Sequence, residues 1–338
     1  MIYLISPNKK QYKANLHCHS VHSDGKRTPE ELKKMYKDRG YSILSITDHE
    51  TPKNHSYLTD DKFIAITGYE AYIRRGKDCA YDVYGKEVHL NLFAKDPNNE
   101  TIVGYMPAYC KYISPEIQEK YNKVGTDKER EYSVEYINEF IKLAKDTGYM
   151  VTYNHPVWSM EDEADILDYD GYFSMEMCNY SSFLLNHMEY NGALYDKMLR
   201  MGKKVFCHSA DDNHNGHGED TPQCDSFGGF AMIMPEEFTY DGIINAMEKG
   251  EMYSSMGPLF KEVSMDGNKI HIECSDVNSI TVFTGSKSPK TLFVQPGETV
   301  NCADFEIDDR AKYVRVSVRD NFGRYADTRG FFREELEF

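Results

Sequence analysis

Short apolar runs alternate with longer stretches of helical period along most of this chain. The apolar runs fall at residues 12–16, 41–46 (YSILSI), 63–67 (FIAIT), 88–93, 150–153, 174–177, 205–207 and 230–234. Their length and their Ile, Val, Phe and Tyr content predict strands. Between several of them, apolar residues recur at helical spacing, over 29–39, 134–146, 183–201 and 240–248. Thr28-Pro29-Glu30-Glu31 offers an N-cap, a proline at the first helical position and a capping-box carboxylate, and Gly40 offers a stop. Ser133 and Gly148 bracket the second helix in the same way. Strand and helix in alternation predict an α/β fold with a mostly parallel sheet, closed or partly closed as a barrel. Polar residues follow directly on many of the apolar runs, at the end of the strands where such folds place their chemistry.

The rhythm breaks twice. Residues 103–132 are rich in Tyr, Lys and Glu and show no strand pattern. They predict an insertion, either a solvated helical flap or a lid over a site. The second break is near Gly257-Pro258. Beyond it come short strands at 269–273, 279–284, 291–294 and 313–318, separated by turns such as Asp266-Gly267-Asn268 and Asn321-Phe322-Gly323. This predicts a small antiparallel β-sandwich. The expected division is therefore 1–257 and 258–338.

Composition adds exclusions. With 338 residues and 40% hydrophobic content the chain has the make-up of a soluble globular protein, and no apolar run approaches a membrane span. The start, MIYLISPNKKQYK, lacks the apolar core of a secretory signal. The eight cysteines form no CxxC pair, which predicts free thiols and a cytoplasmic location. A net charge of −16 argues against a grip on nucleic-acid duplexes. The acidity is uneven, with −13 before Leu259 and −3 from there on.

The chemistry concentrates first in residues 14–25, ANLHCHSVHSDG. Residues i and i+2 of an extended strand share a side, so His17 and His19 can present two imidazoles to one point. That suits two nitrogen ligands on one metal ion; a buried polar pair is the structural alternative. Cys18 points the other way and reads as a core residue. Further metal-competent residues follow the later apolar runs or lie within them: Asp24, His49, Glu70, His89, His155, Asp212 and His214. Six histidines and three carboxylates delivered to one edge of one sheet favour a metal site over a set of separate polar groups. Imidazole and carboxylate without paired cysteines suit Zn, Mn or Fe, and match poorly with Cys-rich structural zinc or all-oxygen Mg and Ca sites.

HxH, SDG, TDH, a downstream Glu, NHP and DxH, in that order, resemble the motifs of the PHP (polymerase and histidinol phosphatase) superfamily, over residues 12–256. The resemblance is nearest to stand-alone members with a small C-terminal β domain. It implies a distorted (β/α)7 barrel and a metal-dependent phosphoesterase holding two or three divalent ions (Zn, Mn or Fe). It also implies ligand sets: His17, His19 and Asp212 with a bridging Glu70 for one ion; Glu70, His89 and His155 for a second; Asp24, His49 and His214 for a third. His17, His19, Glu70 and Asp212 would carry catalysis through a metal-bound hydroxide. Asp211 competes with Asp212, but the DxH spacing to His214 favours Asp212. Asp48 is expected to orient a ligand histidine.

Other residues are weighed from the sequence alone. Arg74, Arg75 and Lys77 read either as a solvated loop or as a clamp for substrate phosphate or carboxylate. His22, His208 and His217 are near the motifs as possible proton donors, with His208 also a substrate contact. His55 and His187 read as surface histidines. Trp158 reads as core packing or as a pocket wall. The expected activity is hydrolysis of a small phosphorylated metabolite or nucleotide, mono- or diester. The alternatives are a metal-dependent amidohydrolase and a non-catalytic, metal-stabilised binding protein. Because the pocket of an acidic protein becomes cationic only with its ions, metal-stripped protein is expected to bind inorganic phosphate far more weakly than metal-loaded protein. Equal affinities by titration calorimetry would contradict this.

Overall fold

A computed structural model describes residues 1–75 and 85–336. Helix Pro29–Asp38 begins as its capping box requires: Thr28 Oγ1 accepts from Glu31 N at 3.2 Å, and Glu31 Oε2 accepts from Thr28 N at 2.8 Å. It ends before Gly40, whose φ of 79° is left-handed. Helix Val134–Asp146 starts on the Ser133 hydroxyl and buries Ile137, Phe140, Ile141 and Ala144, one face at helical spacing. The expected helix over 183–201 is instead two, Tyr180–Asn186 and Gly192–Arg200. The break lies at His187 and Glu189, both at positive φ. The Glu189 carboxylate is buried there, accepting from Trp158 N and Asn191 Nδ2.

In chain order the strands are β1 (Ile2–Ile5), β2 (Tyr12–Asn15), β3 (Ile43–Ile46), β4 (Ile64–Arg74), β5 (Glu87–Ala94), β6 (Ile102–Val103), β7 (Lys123–Val124), β8 (Tyr149–Tyr153), β9 (Ser174–Asn179) and β10 (Phe206–Ala210). They continue with β11 (Phe230–Ile233), β12 (Met252–Ser255), β13 (Phe260–Asp266), β14 (Lys269–Val277), β15 (Ser279–Phe283), β16 (Lys290–Phe293), β17 (Val300–Glu306), β18 (Tyr313–Arg319) and β19 (Tyr325–Thr328). The main sheet runs β10-β9-β8-β5-β4-β3-β2-β11-β12-β19-β18-β15-β16. The β2-β3-β4 and β8-β9-β10 runs are parallel, whereas β5 is antiparallel to both its neighbours.

The fold is thus mixed α/β, as expected, but among the described residues the sheet does not close into a barrel. β10 returns toward β12, where Ser209 Oγ and Ser254 Oγ meet at 2.6 Å, without a ladder between the strands. β4 also departs from expectation. It continues through Glu70 to Arg74, so Glu70 sits mid-strand opposite Asn91 and not at a strand end. Residues 103–132 hold the end of a short β6–β7 ladder and one helical turn, where no strand was expected.

The ladder crosses residue 257 without a break, since β11 pairs β12 and β12 pairs β19. β1, from the N-terminus, pairs β13 in a second layer, β1-β13-β14-β17. Apolar residues of both C-terminal layers, including Val263, Ile270, Ile272, Val282, Val314, Val316 and Val318, share one core. The opposite face of β18 carries a buried charge. Arg315 Nη2 reaches Asp196 of helix Gly192–Arg200 at 2.7 Å, and its Nη1 reaches Asp327 of β19 at 2.6 Å. The described cysteines are free thiols, and no helix among the described residues is long and apolar enough to cross a membrane. Arg315→Met leaves two buried carboxylates without their cation and is expected to cost about 3–5 kcal/mol in urea unfolding. A loss below about 1 kcal/mol would show that this clamp does not hold the C-terminal strands to the helix.

Candidate metal centre

Register places the first components. In antiparallel β4 and β5, Tyr72 lies opposite His89 and Arg74 opposite Glu87. Glu70, Tyr72, Arg74, Glu87 and His89 therefore share one face. This explains His89, which no local motif marks: its Nδ1 is 2.9 Å from Glu70 Oε1. The other side chains come from segments that follow β2, β3, β8 and β10. His17 and His19 leave β2, His49 leaves β3, His155 leaves β8, and Asp212 and His214 leave β10.

Their spacing is informative. His17 Nε2 lies 3.3 Å from His19 Nε2, 3.1 Å from Asp212 Oδ1 and 3.2 Å from Glu70 Oε1. His19 Nε2 lies 3.0 Å from Asp212 Oδ1 and 3.4 Å from Glu70 Oε2. Ligand atoms about 2.0–2.1 Å from a tetrahedral ion stand roughly 3.3–3.4 Å from one another. Three buried atoms in this cluster, Asp212 Oδ1, His49 Nδ1 and His89 Nε2, also make no hydrogen bond. Buried polar atoms are rarely left so unless something else binds them. Donor chemistry, spacing and orphaned atoms all fit a divalent cation.

The residues fall into interlocking groups: His17, His19, Glu70 and Asp212; His49, Glu70 and His89; His19, Asp24, His49 and His214; and His17, His155 and Glu176. His155 Nε2 lies 3.2 Å from Glu70 Oε1. Asp24 stands 3.5 Å from both His49 Nε2 and His214 Nε2. All nine residues singled out from the sequence are thus brought together, though His49 belongs with His89 as well as with Asp24.

Two of them have strained backbones, His155 at φ 23° and Asp212 at φ 53°. Such conformations cost about 1–3 kcal/mol each and persist where surrounding bonds hold them. Here Asp212 N donates to His17 O, and His155 N donates to Glu176 Oε2.

Glu176 is a participant that the sequence reading missed. Its Oε1 is 2.7 Å from His17 Nδ1, which leaves Nε2 of that ring for the cluster. A lone carboxylate inside the run Ser174–Met177 was the available signal. Asp211 and Asp212 separate cleanly. Asp211 accepts from Tyr36 Oη and from the amides of Phe227, Gly228 and Gly229, a structural role, and burial raises its carboxyl to about 7. Asp48 was expected to orient a ligand histidine, and it reaches His19 only through Ser23. It accepts from Ser20 N, Ser20 Oγ and Ser23 Oγ, bracing the turn that carries Ser23 to within 3.4 Å of His19 Nδ1.

A cavity of about 210 Å³ opens on the cluster. Trp158 is 41% exposed on its wall and is not core packing. Arg74 lines the cavity with its Nε on Glu87 at 2.5 Å, whereas Arg75 lines a neighbouring groove and Lys77 lies outside the described residues. His208 does not line it: the ring is fully buried, with Nδ1 on Ser174 Oγ. His55, expected at the surface, is buried and stacks on His22, whose Nε2 faces Lys53 Nζ at 2.9 Å.

The insertion reaches the site. Lys111 lines the cavity, and Tyr112 Oη donates to Asp24 Oδ2 at 3.0 Å. Burial and the Asp24 charge push the Tyr112 phenol up to about 12, so it keeps its proton. Arg130 anchors the far end. Its guanidinium is fully buried, forks onto both oxygens of Glu50 and donates to the carbonyls of Tyr72 and Val103. Glu50 follows His49, and Tyr72 lies two residues beyond Glu70, so the insertion is tied to the backbone of the cluster.

Imidazoles and carboxylates thus converge at the polar end of an α/β sheet, a donor set that could hold divalent metal. Residues 15–174 match the family model of the PHP domain. No curated protein matches the chain. Among solved structures, it is similar to a two-domain protein from Bacteroides vulgatus described as containing a predicted PHP-like metal-dependent phosphoesterase, with 14% identity, 97% of this chain and 98% of that one covered, and a TM-score of 0.45. It is similar to a candidate metal-dependent phosphoesterase from Bifidobacterium adolescentis, with 15% identity, 71% and 96% covered, and a TM-score of 0.39. A third is an amidohydrolase from Chromobacterium violaceum with sulfate bound and no metal, with 21% identity, 62% and 93% covered, and a TM-score of 0.40. These likenesses are slight in both sequence and shape.

Without metal, the cluster's charges settle among themselves. Burial pushes His19 down to about 4, helped by His214 and His49. Burial opposes protonation of His89 too, but Glu70 and Glu87 override it and hold the imidazole at about 10. At pH 7 a ligating His89 must therefore give up a proton, and affinity for divalent metal should rise with pH from 7 toward 10. Calorimetry of Zn²⁺ or Mn²⁺ binding in two buffers of different ionisation enthalpy should show net proton release at pH 7. No release would contradict this charge arrangement.

Proposed function

We propose that the chain is a metal-dependent phosphoesterase acting on a small phosphorylated metabolite. The observation that carries the reading is the set of 3.0–3.4 Å separations among His17, His19, Glu70 and Asp212. The nine residues from His17 to His214 would hold the divalent ions, two or three of Zn, Mn or Fe. Ions held there supply positive charge that acidifies water toward neutral pH and offsets the charge of a phosphoryl group.

The chain's own residues supply the rest. Glu176 holds the His17 ring, and Ser23 holds His19. Arg74 and Lys111 line the cavity with cationic groups for an anionic substrate. The volume of about 210 Å³ lies below the range usual for drug-sized ligands, which favours a phosphoryl group on a small body over a polymer. In this reading residues 1–257 are an open form of the family's (β/α)7 barrel, and 258–338 are a β-sandwich joined to it.

A panel of phosphomonoesters, phosphodiesters and amides, run with and without metal, tests the reading. Metal-dependent phosphate release is expected, with Asp212→Ala and His17→Ala reduced to background. Turnover confined to amides, or full activity in either variant, would overturn it.

A further inference from the structure

The layer β1-β13-β14-β17 turns its apolar side chains inward. Ile270, Ile272 and Cys274 of β14 and Ala303 of β17 are buried. The alternate positions face outward. On β14 these include His271 and Glu273, and on β17 they include Cys302 and Asp304. The antiparallel register sets His271 opposite Asp304 and Glu273 opposite Cys302. Glu262 of β13 lies opposite Glu273 on its other side. Opposed side chains on neighbouring strands have Cβ atoms about 4.5–5.5 Å apart, close enough to share a small ligand.

The imidazole is oriented. Asp304 Oδ1 lies 2.8 Å from His271 Nδ1, while His271 Nε2 lies 3.5 Å from Glu273 Oε1. One ligand atom each from His271, Glu273 and Cys302 falls within 4.8 Å of the others. A carboxylate on one ring nitrogen fixes the tautomer and leaves the other nitrogen's lone pair for a metal, an arrangement typical of zinc-bound histidines.

We propose that His271, Glu273 and Cys302 form a second cation site, with Asp304 positioning His271. Thiolate, imidazole and carboxylate together select Zn²⁺ and similar borderline-soft divalent ions over Mg²⁺ or Ca²⁺. On binding, the Cys302 S–H bond breaks, a sulfur–metal bond forms, and the proton passes to solvent. Three protein ligands leave a fourth position for water or for a side chain of another molecule. The site shares no residue with the cluster around Glu70.

Cobalt distinguishes the two. Among the described residues no thiol belongs to the Glu70 cluster, so a near-ultraviolet thiolate-to-cobalt charge-transfer band lost in Cys302→Ser reports the sheet site. Titrating the full chain with Co²⁺ should give a saturable band that Zn²⁺ displaces. Cys302→Ser should abolish it, His271→Ala should abolish its saturable part, and Asp304→Ala should weaken Co²⁺ binding about 10–100-fold. All three are outward-facing positions, and circular dichroism confirms that each variant folds. No band in the wild-type chain, or a band surviving Cys302→Ser, would overturn the proposal. A band unchanged in His271→Ala would overturn it as well, by reducing it to a lone thiol.

Discussion

Glu70 is a carboxylate that the fold has taken out of water and surrounded with imidazoles. Its side chain is 1% exposed, and nitrogens of His17, His19, His49, His89 and His155 all lie within 3.4 Å of its oxygens. Burial works against its charge, yet these neighbours, His17 foremost, hold its carboxyl well below the ordinary range. A carboxylate offers about four lone-pair directions, too few for five rings to be satisfied by hydrogen bonds to it alone. The surrounding backbone is arranged to keep the rings there nonetheless. β4 is pinned on both sides, by β3 and by β5, which leaves Glu70 no freedom along the strand.

The site was more legible in the sequence than the sheet that builds it. His17 with His19, and the tripeptides containing His49, His155 and His214, are each contiguous signals placed where an apolar run ends. A helix start such as Thr28 to Glu31 is equally local, because all its hydrogen bonds lie within four residues. Glu176 was harder to read: a lone carboxylate inside an apolar run marks the position, but its partner His17 is 159 residues away. The break at His187 and Glu189 was hidden because apolar periodicity runs on through it, and only the buried Glu189 reveals the turn. Barrel closure was beyond reach for a different reason. It depends on whether the edge strand β10 finds a ladder partner across the sheet, and its residues look the same in either case.

The insertion shows how an acidic protein steadies a dense charge cluster from outside. Tyr112 touches Asp24 while keeping its proton, so it adds a hydrogen bond without adding charge. Arg130 brings a full positive charge, but spends it on Glu50 and on backbone carbonyls, one step removed from the histidines. Removing either partner of such a buried pair leaves an uncompensated ion, so the anchor fixes the insertion's position more than it adds net stability.

The ladder that runs from β11 through β12 to β19 has a mechanical meaning. A lobe joined by a flexible strap can swing; one joined by main-chain hydrogen bonds within a sheet can only bend with that sheet. Severing the chain near residue 257 would do more than remove an appendage. It would expose one edge of β12 as a row of unpaired amides and carbonyls, and would leave β1 without β13 beside it. Bare edges of that kind recruit other strands. The C-terminal strands thus serve the N-terminal part as a seam, closing edges that would otherwise be open to self-association.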